Sequence, residues 1–141
     1  MRIKFIVDTK LDKDKFLEKT KKILFDSMLK MQELAIMRCP VDQGILAGSI
    51  HLVPMAPGAT EYTLWARSAY AREVEFGTSP HMVPIAPLLG WAGRKLGDQS
   101  LAYAVRAKIA KVGTSASPYF RPAFDEVNNI WIARYSKMDI K

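Results

Sequence analysis

Charged and apolar side chains take turns in RIKFIV, residues 2–7, before the run turns wholly apolar. A period of two predicts a short first strand. Asp12 or Asp14 then stands where a helix N-cap is expected. From there to about Arg38 there is no Gly and no Pro, and Leu17, Leu24, Met28, Met31 and Ala35 recur at helical spacing. Phe16, Ile23 and Leu34 widen that stripe, while Lys13, Lys15, Lys19, Lys22 and Lys30 mostly lie off it. The pattern predicts a long amphipathic helix whose Met-rich stripe belongs to the core or to an adaptable contact surface. Pro40 ends the helix, because the residue before a proline is pushed out of the α region. Asp42 is placed to cap a short helical turn at 43–47. Gly44 suits a close backbone approach or a φ that other residues avoid.

Residues 49–53 and 61–67 both alternate, and the turn formers PMAPGA lie between them. They predict a β-hairpin whose apolar face holds Ile50 with Tyr62 or Leu64, with Trp65 pointing the other way. Residues 70–76 read as a helical turn or as another strand. A proline-rich segment follows, with a projecting loop expected at about 77–89 that carries His81 and Met82 and orders on contact. Helices are predicted over 87–96 and 100–111, the second with Ser100 as cap, Leu101, Val105 and Ile109 on one face, and Gly113 as the stop. Pro118 and Pro122 bracket an exposed elbow, SPYFRP. A last helix starts near 122, with Phe124, Val127, Trp131 and Tyr135 at helical spacing.

Composition changes this picture little. The chain has 141 residues, 49% hydrophobic and 25% charged, which predicts one globular domain over 1–141. The formal net charge of +7 suits either a solvated surface or an anionic partner, DNA or an acidic protein face. One cysteine allows no intrachain disulfide and no thiolate zinc cluster. The apolar core of the first residues is short for a signal peptide, and no run of about 18 apolar residues predicts a membrane helix.

Candidate chemistry is sparse. Cys39 is a possible nucleophile with Asp42 as helper, and His51 the base it would need. A lone cysteine at the end of an apolar helix is more simply a small buried hydrophobe. Glu73 and Glu75 flank Val74 and would share one face of a strand, where two carboxylates can bind a divalent ion or work as acid and base. No acidic or His partner nearby completes a shell, so salt bridges to the many Lys and Arg are the simpler role. His81 is a loop residue or a ligand. No phosphate-loop, dinucleotide or nucleophile-elbow motif is present. The chain is expected to be no enzyme and to carry no metal or cofactor.

Three stretches together resemble one family: CPVDQGILAGSI at 39–50, YAREVEFGT at 70–78 and KIAKVGTSASPYFRPAF at 108–124. Their order and separations resemble the tail-completion, or neck, proteins of long-tailed double-stranded DNA phages and prophages. The matching positions include Pro40, Asp42, Gly44 and Leu46, then Glu75, Phe76, Gly77 and Thr78, then Gly113, Pro118, Phe120 and Pro122. Gln43, Ile45, Ala47 and Tyr119 depart from the pattern. The resemblance covers roughly residues 12–126.

It implies an α+β fold in which a small antiparallel sheet packs against a long N-terminal helix, with further helices toward the C-terminus. It implies a structural virion protein without enzymatic activity at the head–tail junction, assembled in the host cytoplasm. Such proteins act as homo-oligomeric rings, six-fold or alternatively twelve-fold, around the DNA channel. Their partners are other neck, connector and tail-tube proteins, with transient contact to genomic DNA and none to membrane. On this reading His81, Met82, Tyr119 and Arg121 are candidate subunit contacts, and Lys13, Lys15, Lys19 and Lys22 are candidate channel cations. A tail terminator that caps tail-tube growth is the alternative within the same architecture. A metal-dependent DNA-processing enzyme using Glu73, Glu75 and His81, and a free DNA-binding protein of a prophage, are the alternatives outside it.

Overall fold

A computed structural model describes residues 1–6, 14–55 and 60–135. Val7, the cap candidate Asp12, Lys13 and the turn residues 56–59 lie outside the described residues, as do the side chains of Lys15 and Tyr135. The described elements run β1 (Arg2–Ile6), α1 (Asp14–Arg38), α2 (Ile45–Gly48), β2 (Ile50–Pro54), β3 (Glu61–Ala66), α3 (Ala71–Phe76), α4 (Ile85–Leu96), α5 (Leu101–Val112) and α6 (Phe120–Tyr135). The architecture is α+β, with an antiparallel sheet in the order β1-β3-β2. The β2–β3 pair is the expected hairpin, and β1 adds to the free side of β3.

Alternation along the strands sorts their side chains. Ile50, Leu52, Tyr62, Leu64 and Ala66 belong to the core face, with Ile3 packed alongside. Trp65 sits on the opposite face, opposite Arg2 on one side and His51 on the other. The core face meets the predicted stripe of α1: Leu24, Met28, Met31 and Ala35 are buried. The apolar face of α6 closes the same core through Phe120, Ala123 and Val127. Burial of these side chains is the main favourable term for this part of the molecule. Gln32 ties the layers together by donating to the Ile50 carbonyl at 3.0 Å. Arg38 and Glu126 pair across α1 and α6.

Several local expectations change. Asp42 caps nothing; α2 begins later, at Ile45, behind Gly44 with φ 76. Residues 71–76 are helical, so Glu73 and Glu75 do not share a face. The helix expected from residue 87 starts at Ile85, which shortens the connecting loop to 77–84 and puts Pro87 inside the first turn of α4. Proline is tolerated there because the first N–H groups of a helix have no partner within it. On α5 the buried residues are Ala102 and Ile109, whereas Leu101 is exposed. Ser100 precedes α5 but gives it no side-chain cap; its hydroxyl donates to Asp98 instead. The elbow is not exposed: Tyr119 and Phe120 are fully buried, and α6 starts at Phe120, two residues before Pro122.

Candidate functional site

The three stretches singled out in the sequence converge in space. Glu75 is the centre of the convergence. It is 2% exposed, on a helix whose other carboxylate, Glu73, faces solvent. Glu75 Oε2 accepts the backbone N–H of Tyr119 at 2.8 Å and of Phe120 at 2.9 Å, and Oε1 accepts that of Arg121 at 2.8 Å. These are the first N–H groups of α6 and the one before it, which no helical carbonyl can reach. A carboxylate there satisfies the donors and complements the positive end of the helix. Glu75 is therefore a cap supplied from 44 residues away, rather than half of a metal pair or a surface salt bridge. Among the described residues, no group of three or more His, Cys, Asp or Glu is arranged to hold a metal ion.

Next to this cap, the second and third stretches form a clasp. Thr78 N–H donates to Thr114 O at 3.1 Å, and Thr114 N–H returns to Thr78 O at 3.2 Å. The two threonine hydroxyls lie 3.0 Å apart. Each threonine follows a glycine with positive φ, Gly77 at 72° and Gly113 at 76°. With ψ of −177° and −159°, both occupy a region essentially restricted to glycine. A Cβ on Gly113 would stand 1.8 Å from Thr78 O, and one on Gly77 would stand 2.5 Å from Thr114 O. Ser117 N–H donating to Val74 O at 2.8 Å then leads the chain into the Glu75 cap.

The clasp closes residues 79–113 into an arm built from α4 and α5. His81 N–H donates to Ile109 O at 3.4 Å and ties the proline-rich strand to α5. Farther out, the arm meets the first stretch through polar groups. Arg94 grips Asp42 in a bidentate pair, with Nη2 2.6 Å from Oδ2 and Nε 3.2 Å from Oδ1. Lys95 Nζ donates to Val41 O at 2.7 Å. The Arg94 hydrogen bond holds the Asp42 carboxyl below its ordinary range. Between arm and corner runs a groove of about 650 Å³, lined by Val41, Ile45, Tyr70, Leu88 and Trp91 among others.

The corner itself is structural. Leu46 is buried, and Ser49 Oγ donates to Leu46 O at 2.8 Å while accepting Ser68 N–H at 3.1 Å. Cys39 is buried and its thiol is pushed up by that burial, away from the thiolate a nucleophile needs. His51 is exposed on β2. Burial also pushes the Tyr119 phenol up, with Cys39 and Glu75 beside it adding to the effect.

Of the four candidate contact residues, His81, Met82 and Arg121 are exposed, whereas Tyr119 is inside the core and presents nothing to a neighbour. Lys19 and Lys22 are exposed on α1. Sequence reasoning missed Arg94 and Lys95. No sequence signal points from them to a corner about fifty residues earlier. The surface is rich in large apolar side chains: Met37 is 72% exposed, Met82 67%, Val112 64% and Tyr103 61%, with Phe76, Val41 and Ile45 close behind. Isolated apolar residues are ordinary on a surface, but this many on helix ends and on the arm suits contact with other chains. No family model matches the chain, and neither a curated protein nor a solved structure was found to match it.

Proposed function

We propose that this protein is a structural subunit of a phage neck, assembling with copies of itself into a ring that joins head connector to tail tube around the DNA channel. One observation carries the reading. The positions on which the family resemblance rests are the same ones that build the Glu75 cap and the paired Gly-Thr clasp, so the resemblance concerns one tertiary junction rather than three separate words. Those positions position backbone and leave no reactive group exposed. The arm that the junction holds out, with Tyr103, Val112 and Met82 on its surface, supplies contact area of the kind a ring needs. Head-to-tail copies close into a ring when one face of a subunit fits a different face of the next.

Native mass spectrometry and negative-stain imaging of the purified chain, with a search for it in purified particles, test the proposal. A ring of defined copy number and presence in the virion are expected. A chain that stays monomeric with connector and tail proteins present, and is absent from virions, overturns it. The deletion phenotype separates a neck role from a terminator role: normal tails that never join heads against overlong tails.

A further inference from the structure

We propose that the open face of the sheet is a contact surface for the sugar–phosphate backbone of duplex DNA, formed by Arg2, Lys4 and Arg67 around Trp65. The inference rests on the neck reading for how DNA comes to this face.

Register places these groups together. Arg2, Trp65 and His51 lie directly opposite one another across β1, β3 and β2, and Lys4, Thr63 and Val53 form the next row. Neighbouring strands are about 4.8 Å apart, so each row spans about 10 Å. The Arg2 guanidinium lies over the indole of Trp65, 5.4 Å from the ring centroid. Arg67 follows at the end of β3, where its N–H extends the ladder to Ser49 O at 3.1 Å. Beside it a groove of about 450 Å³ is lined by Met1, Trp65, Ala66, Arg67 and Ser68. The Ser68 hydroxyl has no hydrogen-bond partner, which leaves a donor at the groove.

Charge selects the occupant. A solvated sheet face usually carries polar groups of both signs. Here the carboxylate in the described rows, Glu61, is already paired with Lys4 at 2.5 Å, and Arg2, Lys4 and Arg67 leave a cationic excess. Phosphate oxygens accept from Arg, Lys and Ser, and such contacts read no sequence. A protein partner would need an apolar centre within the contact. This face has only the half-buried Trp65 and Val53, whereas the exposed large apolar side chains cluster on α1, α2 and the arm.

The test uses the full chain and a fluorescently labelled random-sequence duplex, titrated by anisotropy over a salt series. Wild type is compared with Arg2→Ala/Lys4→Ala/Arg67→Ala, with Lys19→Ala/Lys22→Ala, and with Trp65→Phe. These side chains are solvent-facing or half-exposed, and circular dichroism checks that each variant is folded. The triple variant is expected to bind more than about tenfold more weakly and to reduce the salt slope by about 3, near one per lost phosphate contact. The Lys19/Lys22 variant keeps the wild-type slope, and quenching of Trp fluorescence by DNA disappears in Trp65→Phe. Binding that follows Lys19 and Lys22 instead overturns the inference, as does a triple variant with unchanged slope. So does a face that cross-links to an acidic neck protein while the chain ignores duplex DNA. Native mass spectrometry on the same samples keeps the two readings apart. Rings whose DNA binding ignores this face sink the inference alone. DNA binding on this face by a chain that never forms rings sinks the neck reading.

Discussion

The body and the arm are held in different ways. In the body, α1, the sheet and α6 bury Leu24, Met28, Met31, Leu64, Phe120 and Val127 in one core. In the arm, the buried residues of α4 and α5 are Ala92, Ala102 and Ile109, small side chains apart from the last. The arm owes its position to a backbone clasp at its base and to Asp42–Arg94 and Lys95–Val41 contacts near its far end. Burial of large apolar side chains is worth about 2 kcal/mol per residue, whereas an exposed ion pair contributes little and weakens with salt. The difference separates two properties. Stability of the fold resides in the body, and the placement of the surface that meets other chains resides in the arm.

Glu75→Ala is the strongest way to break this division, because the cap lies where body and arm join. It leaves three buried N–H groups without an acceptor and should cost about 4 kcal/mol, read as a large fall in Tm. Glu75→Gln keeps the shape but offers one accepting oxygen in place of two, so its loss should be about half as large. A Glu75→Ala variant as stable as wild type would mean that α6 needs no distant cap.

Gly113→Ala comes next. Its Cβ would overlap Thr78 O, and its backbone conformation is closed to other residues, a combined cost of about 3 kcal/mol. Hydrogen exchange should place the damage at the clasp and in α5, with the α1 core still protected. Protection lost equally in α1 would erase the distinction between body and arm.

Cys39→Ser should cost only about 1 kcal/mol, the price of a buried hydroxyl in place of a thiol. Normal assembly of this variant is the expected outcome, and failure of a folded variant to assemble would reopen a chemical role for Cys39.

Arg94→Ala is the smallest and most local. Thermal unfolding should barely move, while amide exchange in Ile85–Leu96 quickens and the body is unchanged. The same response should follow from added salt. Acid should act through Asp42 with a defined sign. Its carboxyl is held below the ordinary value of about 3.9 by Arg94. The contact is therefore fully present above that value and is lost as pH falls through the lowered one. Quickening of α4 exchange near neutral pH would point to a different latch.

Local pattern alone determined much of the body. The period-2 runs of β1 and the hairpin, the 25-residue α1 with its buried stripe, and the stops at Pro40 and Gly113 were all legible. Each depends on side chains within a few positions of one another, and that is the range over which periodicity and proline or glycine geometry act. The candidate site was legible only as words. Gly77, Thr78, Gly113 and Thr114 stand in the sequence as two similar stretches, but their pairing needs a chain reversal that local pattern does not encode. Asp42 reads as a cap from its neighbours, yet an arginine 52 residues later claims it. Glu75 reads as half of an acidic pair on a strand. Once the segment is a helix, and α6 starts against it, its carboxylate meets three N–H groups that local sequence leaves unpartnered. Which polar group satisfies which was decided by tertiary packing, because buried hydrogen-bond partners are assigned by proximity in space.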